Sequence, residues 1–301
     1  MGDVVHVASV SGGKDSTAMC LHLIEQGVEF HAVHFDTGWE HPDTATYVRE
    51  VLPGIIGREV RIEAAGLDLP AGREAEVVEI EKTLGHRSDF VRLCVAKGAF
   101  PGRKRRFCTE TLKIRVAQRV MAAHHAAGRL PVSVVGVRAQ ESEARAQLPE
   151  RELSPTLDCM VWRPLIDWCE RDVIDIHKRH GIAPNPLYLR GARRVGCWPC
   201  IHARKAELRM LDEGRLNVVE KLERVVAEVA AERARSKGKQ LRNPPALFQR
   251  SLRLPDGTRP CVPIRDMVQW AHTTHGGRRR DNQVDLPGFN DGCLRWGMCH
   301  G

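Results

Sequence analysis

The sequence predicts an α/β fold: a parallel sheet covered by helices on both faces, continued by a helical, cysteine-rich C-terminal region. Three observations predict it. Short apolar runs alternate with segments of helical period through the first half. A Ser-Gly-Gly turn separates the first apolar run from the first helical segment. Past residue 200 the alternation stops, and a charged helix and paired cysteines follow.

Residues 3–10 form the first apolar run, and the spacing of Ala18, Leu21 and Ile24 predicts a helix over 14–25. Residues 29–36 read as a second strand and 42–52 as a second helix. Residues 58–64 alternate apolar and polar positions, as a third strand does. Residues 73–97 carry helical spacing with a break near Gly85, 109–127 read as a further helix, and 131–137 as a buried strand. A short extended piece at 163–168, a helix at 171–180 and a Gly-, Pro- and Arg-rich loop at 181–200 come next. Residues 215–235 predict a charged helix with Leu216, Val219, Leu222, Val226 and Val229 along one side. This β-α-β-α order is that of a parallel sheet between helical layers.

Composition narrows the class. The chain has 301 residues, 42% of them hydrophobic, enough to bury a core. Forty-six Lys and Arg against 38 Asp and Glu leave +8, so an anionic partner is expected. No apolar run approaches the roughly 20 residues that cross a bilayer, and the first residues lack the regions of a secretory leader. The expectation is a cytoplasmic protein with no membrane partner. In a reducing compartment ten cysteines read as metal ligands, reactive thiols or small apolar residues, not disulfides.

The strongest local motif is Ser11, Gly12, Gly13, Lys14, Asp15, Ser16 and Thr17, set between the first strand and the first helix. Small residues let the backbone close around an anion. Free N–H groups at the helix start, with the positive end of its dipole, then favour phosphate. Ser11, Ser16 and Thr17 add hydroxyls, and Lys14 adds charge. The Walker pattern is absent, because it needs four residues between its first Gly and its Gly-Lys-Ser/Thr end.

Ser-Gly-Gly-Lys-Asp-Ser resembles the PP-loop of the adenine nucleotide alpha-hydrolases, a superfamily that holds ATP pyrophosphatases and the adenylyl-sulfate and phosphoadenylyl-sulfate (PAPS) reductases. The resemblance runs on through residues 35–42, with Asp36-Thr37-Gly38 at their centre, similar to the PAPS-reductase branch. It continues through Cys108-Thr109-Glu110-Thr111-Leu112-Lys113, Gly136-Val137-Arg138 with Ser142 and Arg145, Pro164–Trp168, Asp172-Val173 and Asn185-Pro186-Leu187-Tyr188. It covers roughly residues 4–200 and implies a Rossmann-like nucleotide-binding domain over 1–200, with a helical, cysteine-rich region over 201–301. It implies an adenine nucleotide, either ATP or a sulfonucleotide (adenylyl sulfate or PAPS). The expected holders are Ser11, Gly12, Gly13, Asp15, Ser16, Thr17, Asp36, Thr37, Gly38 and Arg138. Lys14, Asp15, Lys113 and Arg138 take the catalytic positions.

These positions make physical sense together. Ligands of open parallel sheets gather at the carboxyl ends of strands, where Ser11, Asp36 and Arg138 are expected. Asp36 can accept hydrogen bonds from a ribose or hold a hydrated Mg²⁺; the plainer reading is a turn cap. Arg138 offers a planar fork for phosphate or sulfate, against a surface ion pair with Glu141 or Glu143. Lys113 and Arg115 either face the same anion or are solvated.

Cys197 and Cys200 form a C-x₂-C hairpin, and Cys293 and Cys299 a C-x₅-C pair. Four thiolates make a tetrahedral metal set. The first choice is Cys197, Cys200, Cys293 and Cys299; the other is Cys108 with Cys197, Cys200 and one C-terminal cysteine. The family resemblance favours a [4Fe–4S] cluster, while spacing alone equally allows zinc. In the family's iron–sulfur reductases a Cys-Cys pair precedes the Lys-bearing helix, and here Phe107 replaces the first cysteine. Cys20, Cys94, Cys159, Cys169 and Cys261 lack partner spacing and read as buried apolar residues. No histidine is assigned as a ligand, His41 and His300 near the motifs included.

Basic residues gather around these motifs: Arg103-Lys104-Arg105-Arg106, Arg190, Arg193, Arg194 and Arg278-Arg279-Arg280. They suit an anionic substrate or the phosphates of a nucleic acid. Aromatics at 5% leave few stacking platforms for single strands. The resemblance implies reduction of a sulfonucleotide to sulfite, which requires an electron donor. The alternative is an ATP pyrophosphatase that adenylates a nucleic acid or protein for sulfur transfer. A third reading is a nucleotide-binding subunit without turnover. The reductase nucleophile lies in Glu-Cys-Gly-Ile/Leu-His; this chain instead ends Trp296-Gly297-Met298-Cys299-His300-Gly301. His300 could lower the pKa of Cys299.

Overall fold

The computed structural model describes residues 2–249, 261–275 and 296. In chain order the first elements are β1 (Val4–Ser9), α1 (Lys14–Glu25), β2 (Phe30–Asp36), α2 (Pro42–Thr46), α3 (Leu52–Ile56) and β3 (Val60–Ala64). Next come α4 (Glu74–Leu84), α5 (Asp89–Lys97), α6 (Phe107–Thr109), α7 (Arg115–Ala126), β4 (Leu130–Val135) and α8 (Glu143–Ala146). A hairpin, β5 (Arg151–Ser154) and β6 (Cys159–Trp162), leads to α9 (Glu170–Arg179), α10 (Pro186–Leu189) and α11 (Lys205–Leu208). The long α12 (Glu213–Arg235), β7 (Phe248–Gln249), β8 (Cys261–Val262) and α13 (Ile264–Ala271) follow.

The main sheet has the order β3-β2-β1-β4-β6-β5, and every pair in it is parallel except the antiparallel β5–β6 edge. The expected Rossmann-like α/β architecture is present. Strand residues alternate between two helical layers, as a two-residue period demands. Ala8, Ala32 and Val134 face the layer of α1 and α9, whereas Val7 and Val33 meet Val120 and Met121 of α7. From β1 the chain builds outward to β2 and β3, then crosses to β4 on the other side. The crevice beyond the β1 and β4 carboxyl ends is therefore the switch point, where open sheets bind ligands.

A third apolar cluster joins the two regions expected on either side of residue 200. Leu216, Val219, Leu222 and Val226 of α12 pack with Val77 and Ile80 of α4 and Phe90 and Leu93 of α5. Gly85, left-handed at φ 78°, closes α4 where the break was expected, and Ser88 starts α5 by accepting from the Val91 N–H at 3.3 Å.

Two expectations need correction. Residues 163–168 are turns, and the strand lies earlier, at β6; Pro164 has no N–H to give a ladder. The helix from Pro42 does not stop before Pro53. A π-helical turn at Tyr47–Val51 resets the register, so Pro53 enters the first turn of α3, where its missing N–H costs nothing. A second π-helical turn, Glu110–Ile114, links α6 to α7 and carries Lys113.

Candidate functional site

The phosphate loop is built largely from its own backbone and serines. Ser16 Oγ donates to the Gly13 carbonyl at 2.9 Å and accepts from the Ser11 N–H at 3.1 Å. Gly13, the N-cap of α1, has no side-chain cap bond, so no local acceptor competes for the helix start. Gly12 is left-handed at φ 70°, and a Cβ there would sit 2.8 Å from Val48 Cγ2. Thr17 is buried beneath the loop.

Two cations converge on Asp15. Arg138 Nε donates to Asp15 Oδ1 at 2.5 Å, and Lys14 Nζ lies 3.3 Å from Asp15 Oδ2 and 3.5 Å from Glu170. Lys14 and Arg138 are both buried, so this is not the surface pair with Glu141 or Glu143. Arg138 Nη1 also donates to Gln140 Oε1 at 3.0 Å. The approach is close because Gly136, just past β4, has no side chain; a Cβ would lie 2.7 Å from the Asp15 carbonyl oxygen. Asn185 Nδ2 donates to the Gly12 carbonyl at 3.2 Å, and the Lys14 N–H donates to the Tyr188 hydroxyl at 3.1 Å.

Asp36, at the end of β2, accepts from the Gly38 N–H at 2.7 Å and pairs with Arg49 at 2.6 Å. With Thr37, Gly38, Glu40, Arg49 and Arg87 it lines a cleft of about 520 Å³. Glu40 is buried, taking the Thr37 hydroxyl at 2.7 Å and the Trp39 N–H at 3.0 Å.

The segment after Asp36 also carries the cysteine loop. The Trp198 N–H donates to the Trp39 carbonyl at 2.8 Å, Trp39 Nε1 donates to the Pro199 carbonyl at 3.1 Å, and Glu40 bridges to Cys197. Buried Arg215 of α12 locks the junction. Its Nε donates to the Trp198 carbonyl at 2.5 Å and its Nη2 to the Trp39 carbonyl at 3.1 Å, with the guanidinium 3.8 Å from the Trp39 ring centroid.

Cys108, Cys197, Cys200 and Glu40 gather around the Lys113 ammonium. Desolvation pushes that ammonium down, but the four acidic groups together outweigh it and raise its pKa. Burial pushes the Cys197 thiol up to about 12. Lys113, Cys197 and Cys200 line a cavity of about 160 Å³ with His41, Trp198 and His202. Arg194 also lines this cavity, and burial lowers the His202 pKa, with the nearby charges of Arg103, Arg106 and Arg194 lowering it further.

Three cysteine sulfurs beside a half-buried cation fit a metal group, which binds them as thiolates. The three sulfurs do not all lie within 4.8 Å of one another. A single tetrahedral zinc would draw them to about 3.8 Å, given Zn–S near 2.3 Å. Cys293, Cys299, His300 and the Arg278-Arg279-Arg280 run lie outside the described residues.

Residues 5–203 match the family described as the phosphoadenosine phosphosulfate reductase domain. The chain belongs to the phosphoadenosine phosphosulfate reductase family. A relative from Escherichia phage 186, an uncharacterized 37.8 kDa protein, is 38% identical over 233 residues, covering 68% of this chain and 69% of that one. An adenosine 5'-phosphosulfate reductase of Allochromatium vinosum is 33% identical over 99 residues, covering 33% of this chain and 36% of the reductase. The match thus spans about a third of that enzyme's length. Among solved structures, PAPS reductase from Candida auris in a phosphate complex aligns with 18% identity and a TM-score of 0.44, over 66% of this chain and 83% of that one.

Within this PAPS-reductase-family chain, Ser11–Thr17 and Arg138 meet at the switch point, while Cys108, Cys197, Cys200 and Lys113 meet on the far side of residues 36–40. Residue-by-residue reading missed Glu40, Arg215 and the contacts of Asn185 and Tyr188. Glu40 and the Asn185–Tyr188 segment stood inside quoted motifs, so a signal existed for them. Arg215 looked like one more charge on a solvated helix.

Proposed function

We propose that this chain is a sulfonucleotide reductase that uses adenylyl sulfate or PAPS. The observation carrying the reading is the single wall, residues 37–44, shared by the two sites. Thr44 contacts the phosphate loop through Asn185, and Trp39 and Glu40 hold the cysteine loop. Lys14, the loop N–H groups and Arg138 would take the nucleotide phosphates. Cys108, Cys197 and Cys200 would hold three corners of a [4Fe–4S] cluster, with Cys293 as the fourth ligand. Such a cluster supplies redox and charge tuning beside the reacting sulfur.

Cys299 would then be the nucleophile. Its thiolate attacks the sulfur, the bond from sulfur to the phosphate oxygen breaks, and the adenosine phosphate leaves. A dithiol donor attacks the resulting cysteine S-sulfonate, releases sulfite and ends as a disulfide. Trp296 supports the C-terminal assignment. It packs against Tyr188, whose hydroxyl meets the loop, and it lies three residues from each C-terminal cysteine in sequence.

The test is sulfite release from adenylyl sulfate or PAPS by anaerobically purified protein with a dithiol donor. A broad visible absorption band should be lost in Cys108→Ser and Cys197→Ser. Pyrophosphate from ATP without sulfite would sink the reading and favour adenylation of a sulfur acceptor. That alternative draws on a basic cavity of about 540 Å³ next to Cys108, lined by Lys97, Lys104, Arg105, Arg106 and Arg115. A phosphate-rich nucleic acid is the acceptor its charge suits. Nucleotide binding with neither product would leave a subunit without turnover.

A further inference from the structure

We propose that His34, Asp36 and Glu40 form a binding site for a divalent transition-metal cation at the carboxyl end of β2, beside the phosphate loop. One ligand atom from each lies within 4.8 Å of the others, the one such group among the described residues. His34 and Asp36 are two residues apart on a strand and so share a face. The turn at 37–40 brings the Glu40 carboxylate back toward them.

The histidine is the second, independent observation. His34 is only 6% exposed, and its Nδ1 lies 2.8 Å from the Val10 carbonyl oxygen. A carbonyl only accepts, so Nδ1 carries the proton and Nε2 carries the lone pair. Nε2 makes no hydrogen bond to the described residues. A backbone carbonyl fixing one ring nitrogen while the other points to a metal is the usual support of a histidine ligand. Backbone N–H groups orient both carboxylates, Gly38 on Asp36 and Thr37 and Trp39 on Glu40, and an ion at Glu40 would displace the long contacts from the Thr37 N–H at 3.3 and 3.4 Å. The nearby cations are Arg49 on Asp36 and Lys113 near Glu40, and an ion here would share or replace them.

One imidazole nitrogen with two carboxylate oxygens suits Mn²⁺, Fe²⁺, Co²⁺ or Zn²⁺ better than the all-oxygen ions. Three protein ligands leave positions open toward the cleft that Asp36 and Glu40 line. There the ion could take a water or a nucleotide oxygen. The site uses no cysteine and does not rest on the proposed reaction.

Manganese is the probe, because it prefers nitrogen and oxygen ligands to thiolates. Full-length protein is titrated with Mn²⁺ and free ion is read by electron paramagnetic resonance, without nucleotide. The expected result is one Mn²⁺ per chain, with nitrogen hyperfine coupling from the imidazole. His34→Asn keeps an amide N–H for Val10 but removes Nε2, and should weaken binding at least tenfold. Asp36→Asn should do the same and covers the case in which the first variant does not fold. Cys197→Ser should bind as the parent does. No uptake by the parent, undiminished binding in a folded His34→Asn or Asp36→Asn, or loss in folded Cys197→Ser overturns the site. None of these outcomes bears on sulfite release.

Discussion

Arg138, beyond the end of β4, donates to Asp15 in the first turn of α1 at 2.5 Å, and this bond closes the switch point of the sheet. Asp15 thereby aims two cations at one place, since Lys14 Nζ lies on its other oxygen at 3.3 Å. Arg138→Met should leave the fold intact and weaken adenine-nucleotide binding. A charge-assisted hydrogen bond is worth about 1.5–3 kcal/mol, so the loss should be about ten- to a hundredfold. Titration calorimetry with a sulfonucleotide measures it. Unchanged affinity would mean that Arg138 only braces α1.

The contrast between Arg138 and Arg215 shows what the sequence could reveal. Arg138 follows an apolar run in a motif, so its place at a strand end was legible. Arg215 sits on a helix rich in charge, and nothing local separates it from the solvated Arg224 or Arg233. Its burial depends on Trp39, 176 residues away, closing over it. The parallel core was legible because β1, β2 and β4 are apolar runs between clear helices. The edge strand β5 was not, having four residues, none of them buried. Likewise the strand-turn-helix setting of residues 11–17 was legible, whereas the bond from Asn185 to the Gly12 carbonyl joins residues 173 apart, a pairing that no local pattern shows.

Gly12→Ala tests the loop itself. Gly12 holds φ 70°, and the added methyl would sit 2.8 Å from Val48 Cγ2 and 3.0 Å from Thr44 Cγ2. Left-handed strain and overlap should together cost about 1–3 kcal/mol. Urea denaturation should show a lower midpoint at unchanged slope. A midpoint equal to the parent's would mean that the loop relaxes at no cost.

Arg215→Met tests the junction between the nucleotide wall and the cysteine loop. It removes the donors that hold the Trp39 and Trp198 carbonyls. If the proposed cluster sits on this loop, iron bound per chain should fall, because supporting-residue changes weaken metal sites about tenfold or more. Arg215→Lys should not rescue it, because one ammonium cannot span two carbonyls and stack on Trp39. Full iron content in Arg215→Met would show that the loop is held elsewhere.

Glu81 and Arg92 form a buried two-pronged pair, Nε to Oε1 and Nη2 to Oε2, both at 2.8 Å. Burial pushes the Glu81 carboxyl up, but Arg92 and the Ser88 N–H outweigh that and hold it below its ordinary range. Arg92→Met strands that carboxylate and should cost about 3–5 kcal/mol. Adding Glu81→Leu should recover much of the loss, because no buried charge then remains. A double variant as unstable as the single one, by chemical denaturation, would place the cost in packing alone.

Glu25, at the end of α1, accepts from Arg179 Nε at 2.8 Å and lies 2.8 Å from His180 Nε2, so it ties α1 to α9. The hydrogen bond from Arg179 is the main cause that brings its carboxyl from 4.5 down to about 2; partial burial opposes this, and His180 adds to it. A depressed carboxyl pKa means that the unfolded chain binds its proton first. The pair's contribution is therefore full above about pH 4.5 and is lost as pH falls from 4.5 toward 2. The groups are largely solvated, which limits the contribution to about 0.2–1 kcal/mol near neutrality. Glu25→Gln should melt below the parent at pH 6, with the gap closing as the pH approaches 2. Molar salt should narrow the gap at pH 6 as well, because solvent ions screen the pair. A gap that stays constant across the acid range would show that Glu25 contributes by shape rather than by charge.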